Sequence, residues 1–303
     1  MKKVAVLMST YNGSEYIQEQ IESILKQEKV DVQLIVRDDG SNDDTLKIIS
    51  AYKDTGKIRI IEGSNKGPVL SFMELIGEAD LSAEYYAFAD QDDIWLPDKL
   101  FRAVRMIGQT GKSCVLYASN QTVADQNGNA LNKRYQTDPP VDLLNIIDSN
   151  WLAGCTMVFD RNLLHVLQKH QPDSNFVQTR MHDTWVAAVA ACIGTIVYDD
   201  ESKMLYRQHS NNVVGSKKEN LIKRAFARIK MKKDVQGEEY HLRFANELDR
   251  VFPESIKKEA RYVIKLYQKT KSFRGKISFL MSHYFQKYYY RNKVTFAVKL
   301  LFG

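Results

Sequence analysis

Cysteine is scarce in this chain. Cys114, Cys155 and Cys192 make an odd set with no paired spacing. That excludes a disulfide framework and fits free, buried thiols in a reducing cytoplasm. Long apolar runs are missing as well, and none approaches the length of a membrane span. The N-terminus enters an apolar strand at once, which leaves no room for a signal peptide. Internal repeats and low-complexity linkers are absent. Acidic residues are thin at one end only: residues 217–303 hold 22 Lys and Arg against 8 Asp and Glu, a net +14 within an overall +6, so the rest carries −8. The basic character belongs to a C-terminal segment suited to an anionic surface, and the larger part lacks the basic groove that nucleic acid requires.

What is present can fold. Hydrophobic residues make up 44% of the 303 positions and aromatics 11%. This supports one large α/β domain with an appendage, or two small domains. Apolar strand patterns at Val4–Met8, 32–37, 58–62 and Tyr85–Ala89 alternate with helical patterns. Ser14 can cap the first helix, on Ile17, Ile21, Ile24 and Leu25; the second carries Leu46, Ile48 and Ile49. Pro68 and Pro97 each sit at a helix start. This is the rhythm of a parallel, doubly wound sheet. Further along, Val115–Ser119, Gly154–Phe159, Thr195–Tyr198 and Met204–Arg207 read as strands. Leu163, Leu164 and Leu167 mark a helix, and His182–Ile193 another. Beyond Asn220 the pattern is helical and basic.

Two strand ends are acidic. Tyr85-Tyr-Ala-Phe-Ala-Asp90-Gln91-Asp92-Asp93-Ile-Trp95 passes from an apolar run into three carboxylates, and 32–37 runs into Asp38-Asp39-Gly40-Ser41-Asn42-Asp43. Ligands of open α/β sheets sit beyond such strand ends. Clustered carboxylates repel one another unless a cation joins them. Hard oxygen donors suit Mg²⁺ or Mn²⁺, with substrate phosphates completing the shell.

With Ser9-Thr10-Tyr11-Asn12-Gly13 after the first strand, these motifs resemble the family 2 glycosyltransferases over roughly the first two thirds of the chain. Met181-His182-Asp183-Thr184-Trp185, Leu205–Gly215 and the Asp-Gln-Asp-Asp-Ile-Trp form of the acidic motif resemble the rhamnosyltransferases of bacterial cell-wall and capsular polysaccharides. The resemblance implies a nucleotide-sugar-binding GT-A fold: a Rossmann-like, mostly parallel sheet flanked by helices over residues 1–216, followed by a basic helical region at 217–303. Thr10, Tyr11 and Asn12 would line the nucleotide, and Asp39 would accept the ring N3–H of uracil or thymine. That role of Asp39 favours a pyrimidine donor over GDP, and Asn65 and Gly67 would add a loop near the nucleotide. Asp92 would touch the metal, and Asp90 ribose or metal-bound water. Asp93 is either part of this set or the start of the next turn. His209 would reach metal or diphosphate. Arg207 either clamps phosphate or pairs with acids.

Asp183 is the candidate general base of an inverting transfer, at a helix start where the dipole favours its ionised form. The donor so implied is dTDP-L-rhamnose, with a UDP-hexose such as UDP-glucose or UDP-galactose as the alternative. The acceptor is a lipid-linked glycan. The location is the inner face of the bacterial membrane, with the basic region on anionic lipid or in a homo-oligomer. Two other readings stand beside this one. A phosphohydrolase or receiver-like domain leaves Thr10-Tyr11 and the His-Asp-X-Trp motif unexplained. A non-catalytic glycan-binding module makes little use of intact Asp92 and Asp183. Trp95 and Trp185 are core candidates; Trp151, in the irregular stretch 120–155, lines either the acceptor cleft or the core.

Overall fold

Val4, Val6 and Met8 face one apolar cluster, and Ala5 and Leu7 face the other. Side chains of a strand alternate between faces, so a continuous apolar run is a strand covered on both sides. That run is the middle of β1 (Lys2–Thr10). In this computed structural model, residues 1–173, 176, 181–209 and 240–302 are described. The boundary near residue 217, the motif residues 210–215 and the helical expectation for 220–239 lie outside them.

The larger sheet contains β1, β2 (Val30–Asp38), β3 (Ile58–Glu62), β4 (Tyr85–Ala89), β6 (Val115–Ser119), β9 (Val158–Asp160) and β10 (Thr195–Asp199), in the order β10-β6-β9-β4-β1-β2-β3. β9 runs antiparallel to both β4 and β6, and the other pairings are parallel. The doubly wound sheet is therefore mixed, and mostly parallel. The chain moves outward from β1 to β3, then returns to place β4 on the other side of β1. That reversal opens a crevice at the carboxyl ends of β1 and β4.

A second sheet, β5-β11-β7-β8, is built from β5 (Ile94–Trp95), β7 (Thr122–Ala124), β8 (Ala130–Lys133) and β11 (Met204–Arg207). β11 pairs antiparallel with β5, Leu205 opposite Ile94, and so hangs residues 207–209 over the acidic loop.

Helices α1 (Ile17–Leu25), α2 (Thr45–Ser50), α3 (Pro68–Glu78), α4 (Lys99–Gln109), α5 (Leu143–Asp148), α6 (Arg161–Lys169) and α7 (His182–Ile193) cover the sheet. Two expected starts move. Ser14 does not cap α1: the amides of Tyr16 and Ile17 both donate to the Gly13 carbonyl, so a turn precedes the helix. The helix after Pro97 begins at Lys99. Residues 154–156 form a 3-10 turn and not a strand, because the Gly154 amide donates to Asp183 Oδ2 at 3.2 Å.

The C-terminal helices α8 (Tyr240–Val251), α9 (Lys258–Lys269), α10 (Phe273–Met281), α11 (His283–Tyr288) and α12 (Lys293–Phe302) share a core with the sheet. Phe244, Tyr267, Phe279, Phe285 and Phe296 join the cluster that holds Leu7, Phe88 and Trp185. The buried Tyr267 hydroxyl donates to the Leu144 carbonyl at 2.9 Å. Among the described residues, no helix is long and apolar enough to cross a membrane.

Candidate active site

The ends of β1, β2 and β4 meet the 149–155 segment, the start of α7 and the end of β11 around a cleft of about 770 Å³. That lies within the range of a pocket for a drug-sized ligand. Tyr11, Asn12, Asp39, Asn65, Asp90, Asp92, Asp183 and His209 all line it.

One wall of the cleft is organised by carboxylates at the end of β2. Asp38 accepts from the Gly40 and Ser41 amides and from the Thr10 and Ser41 hydroxyls. Thr10 is thereby buried and turned from the cleft, while Tyr11 stays exposed. Asp39 takes the Lys66 and Gly67 amides at 2.9 and 2.8 Å, so it fixes the Asn65–Gly67 loop. Its Oδ1 also pairs with Arg37 Nη1 at 2.5 Å, and both side chains are buried. Asn65 Oδ1 accepts the Gly67 amide at 3.2 Å. Asn12, with φ of 46°, accepts the Asn42 amide and ties the first loop to the second. Gln91 reaches across from the acidic motif to the Tyr11 amide at 2.8 Å. A Cβ on Gly13 would lie 2.4 Å from Gln91 Oε1, so a larger residue there would push the Gln91 amide from its place on Tyr11.

In the acidic loop, His209 Nε2 lies 2.8 Å from Asp92 Oδ2. Asp90 and Asp93 lie close to the buried Cys155 thiol, the ligand atoms of the three falling within 4.8 Å of one another. Burial, reinforced by the Asp92 charge, pushes the Asp90 carboxyl up to about 7. Burial also raises Asp93 well above the usual carboxylate range, and its Oδ2 has no hydrogen-bond partner. The loop thus concentrates carboxylates in a desolvated place, a donor set of oxygens and one imidazole that fits a hard divalent cation. Burial holds the Cys155 thiol well up, hence protonated and a poor ligand.

Arg207 is not brought to the cleft. Its Nε donates to the Asp92 carbonyl at 2.9 Å, Nη1 to the Gln126 carbonyl at 2.8 Å and Nη2 to Glu19, and its guanidinium lies over the Tyr16 ring. It braces the acidic loop from behind.

Asp183 stands in the first turn of α7, with Oδ2 on the Gly154 amide and Oδ1 accepting the Thr184 hydroxyl at 3.2 Å. Burial raises its carboxyl above the ordinary range. A Cβ on Gly154 would meet His182 Nε2 at 2.8 Å. His182 stacks on Phe72 at 3.9 Å, and burial lowers it to about 3, so it is neutral.

Sequence reasoning missed several of these groups. Arg134 lines the cleft and donates to Gln121 at 2.6 Å. Tyr16 packs against His209 at 4.8 Å, and Cys155 lies against Asp90 and Asp93. No spacing announces such residues, since each meets its partner across more than a dozen positions.

A family model described as Glycosyl transferase family 2 matches residues 5–174. The chain belongs to this family. The dTDP-rhamnosyl transferase RfbG of Shigella flexneri is 33% identical over 218 residues, covering 69% of this chain and 74% of RfbG. An uncharacterized glycosyltransferase of Nostoc sp. is 27% identical over 219 residues, and this chain spans 66% of its length. In fold, this family 2 glycosyltransferase is similar to residues 1–349 of S. aureus TarS, crystallised with UDP-GlcNAc. The TM-score is 0.54 at 20% identity, covering 92% of this chain and 81% of that 1–349 chain.

Proposed function

We propose that this glycosyltransferase moves L-rhamnose from dTDP-L-rhamnose onto a lipid-linked glycan, with inversion and with Mg²⁺ or Mn²⁺, in bacterial cell-wall or capsular polysaccharide synthesis. The observation that carries the proposal is that the Asp92–His209 pair and Asp183 line one cleft. Asp92 and His209 would hold the metal, with Asp90 beside them. Bound there, the cation supplies charge neutralisation for the departing nucleoside diphosphate. Asp183 accepts the proton of the acceptor hydroxyl as its oxygen bonds to the anomeric carbon. The anomeric carbon–phosphate oxygen bond breaks in the same step, and dTDP leaves. Asp39 and Tyr11 present a carboxylate and a ring to the base.

The 33% identity to a dTDP-rhamnosyl transferase supports the rhamnosyl donor. The fold likeness to a protein crystallised with UDP-GlcNAc supports a second reading, a UDP-linked hexose donor. Turnover of a nucleotide-sugar panel with a competent acceptor separates them. Faster transfer from dTDP-rhamnose than from UDP-glucose or UDP-galactose is expected; the reverse order rejects the rhamnosyl donor and keeps the family.

The enzyme would work against an anionic leaflet, the inner face of the cell membrane. Residues 260–303 hold 10 Lys and Arg and no Asp or Glu. On α10, Phe273, Ile277 and Met281 recur every four residues and are 61%, 44% and 75% exposed, while Phe279 points into the core. An apolar stripe set in basic residues suits the lipid interface, where each Lys or Arg adds ~1 kcal/mol. Full-length protein is expected to co-sediment with anionic liposomes, less so at high salt. Replacing Phe273, Ile277 and Met281 together by Ser should abolish this. If that variant instead dissociates an oligomer, the stripe belongs to a second copy.

A further inference from the structure

Three tryptophans serve two purposes. Trp95 and Trp185 are 3% and 1% exposed and belong to the core. Trp151 is half-buried and lines the cleft that Asp183 also lines, three residues before Gly154, whose amide donates to Asp183. Tyr135 packs edge-on against it at 5.6 Å, and its hydroxyl donates to the Trp151 carbonyl at 2.9 Å. Tyr290 also packs edge-on against Trp151, at 5.8 Å, and is half-exposed. Tyr290 comes from the basic C-terminal region, more than 100 residues away in sequence.

That segment is fastened in place. The buried Asn145 side chain accepts the Tyr290 amide at 2.9 Å and donates to the Tyr288 carbonyl at 2.9 Å. The Tyr290 hydroxyl meets Thr137 Oγ1 at 3.0 Å. Two cations frame the aromatic group: Arg291 lies 5.6 Å from the Trp151 ring and Arg134 5.5 Å from the Tyr135 ring. The Trp151 indole N–H has no hydrogen-bond partner.

We propose that Tyr135, Trp151 and Tyr290 form a subsite for a pyranose ring of the acceptor glycan, completed by the C-terminal region. A pyranose presents axial C–H groups on one face and hydroxyls around its edge. Flat aromatic rings match that face, and guanidinium N–H groups match vicinal hydroxyls. The position explains the chemistry. A sugar resting on Trp151 would occupy the cleft that Asp183 lines, and Asp183 must reach the acceptor hydroxyl and not the donor. The inference rests on the glycan-acceptor part of the proposed function and is independent of the donor sugar.

Intrinsic fluorescence tests it, because Trp151 is the tryptophan that a sugar can touch. The probes are a rhamnan and a glucan oligosaccharide of equal length, titrated into the full-length protein. Saturable quenching by at least one is expected. Trp151→Phe should lose the signal yet still bind in calorimetry, since the ring remains. Trp151→Ala and Tyr290→Ala should each raise acceptor KM roughly tenfold with donor KM unmoved. Melting curves confirm that each variant is folded, and Tyr290→Phe should restore the wild-type acceptor KM. Absence of quenching by either oligosaccharide, or a rise in donor KM equal to that for acceptor, overturns the subsite. Turnover with UDP-hexoses alone would reject the rhamnosyl donor while leaving the quenching intact, so the two failures are distinguishable.

Discussion

Asp183→Asn lowers turnover by ~10²–10⁴-fold while the donor still binds, the loss typical of a missing general base. The amide keeps the size of the carboxylate and retains an oxygen to accept the Gly154 amide, so α7 keeps its start. What disappears is the group to which the proposed mechanism assigns the acceptor proton. The pH profile carries the same information. Asp183 acts as a base only when ionised, and burial raises its carboxyl. The wild-type kcat/KM should therefore climb with pH through a value above the ordinary carboxylate range, and fall as the solution is acidified through it. That acid limb should vanish from the residual activity of Asp183→Asn. Single-turnover rates with pre-bound donor provide the check, and wild-type rates in the variant would sink the assignment.

Asp92→Ala should remove metal-dependent donor binding and turnover together, by two orders of magnitude or more, since metal stabilisation of developing charge is worth several kcal/mol. Chelation of the wild type should mimic it, and added Mn²⁺ or Mg²⁺ should reverse the chelation but not the mutation. His209→Ala should act in the same direction and more weakly. The fold should survive Asp92→Ala, because removing one carboxylate relieves its repulsion of the buried Asp90 and Asp93. Titration calorimetry of nucleotide sugar with and without metal measures both effects. Activity untouched by a chelator would discard the metal.

The parts of this fold legible in sequence are those where one physical signal dominates. Val4–Met8 and Tyr85–Ala89 are apolar on both faces, and a buried parallel strand admits little else. Their acidic or polar endings mark the crevice, because the carboxyl end of such a strand is where burial stops. The helix at His182–Ile193 was readable to the residue. Of the second sheet only Met204–Arg207 was. Its strands are two to four residues long, too short to carry a period. Thr10 and Arg207 have side chains that suit a substrate, yet both are taken by protein partners: Asp38 holds the first, and Glu19 and two loop carbonyls the second. At Gly154 an apolar run suggests a strand, but its amide goes to a side chain on α7. Such outcomes depend on which distant group arrives, and periodicity holds no record of that.

Arg207 has a consequence in time. Its partners Glu19 and the Asp92 carbonyl lie 188 and 115 positions back along the chain. During synthesis the wall from β1 to the Asn65–Gly67 loop can form early from neighbours closer in sequence. The acidic loop must wait for a residue made more than a hundred positions later before its backbone is braced and His209 reaches Asp92. Contacts of such long sequence separation form slowly and late. The acidic half of the cleft is thus expected to be the last part of the site to close as the chain folds.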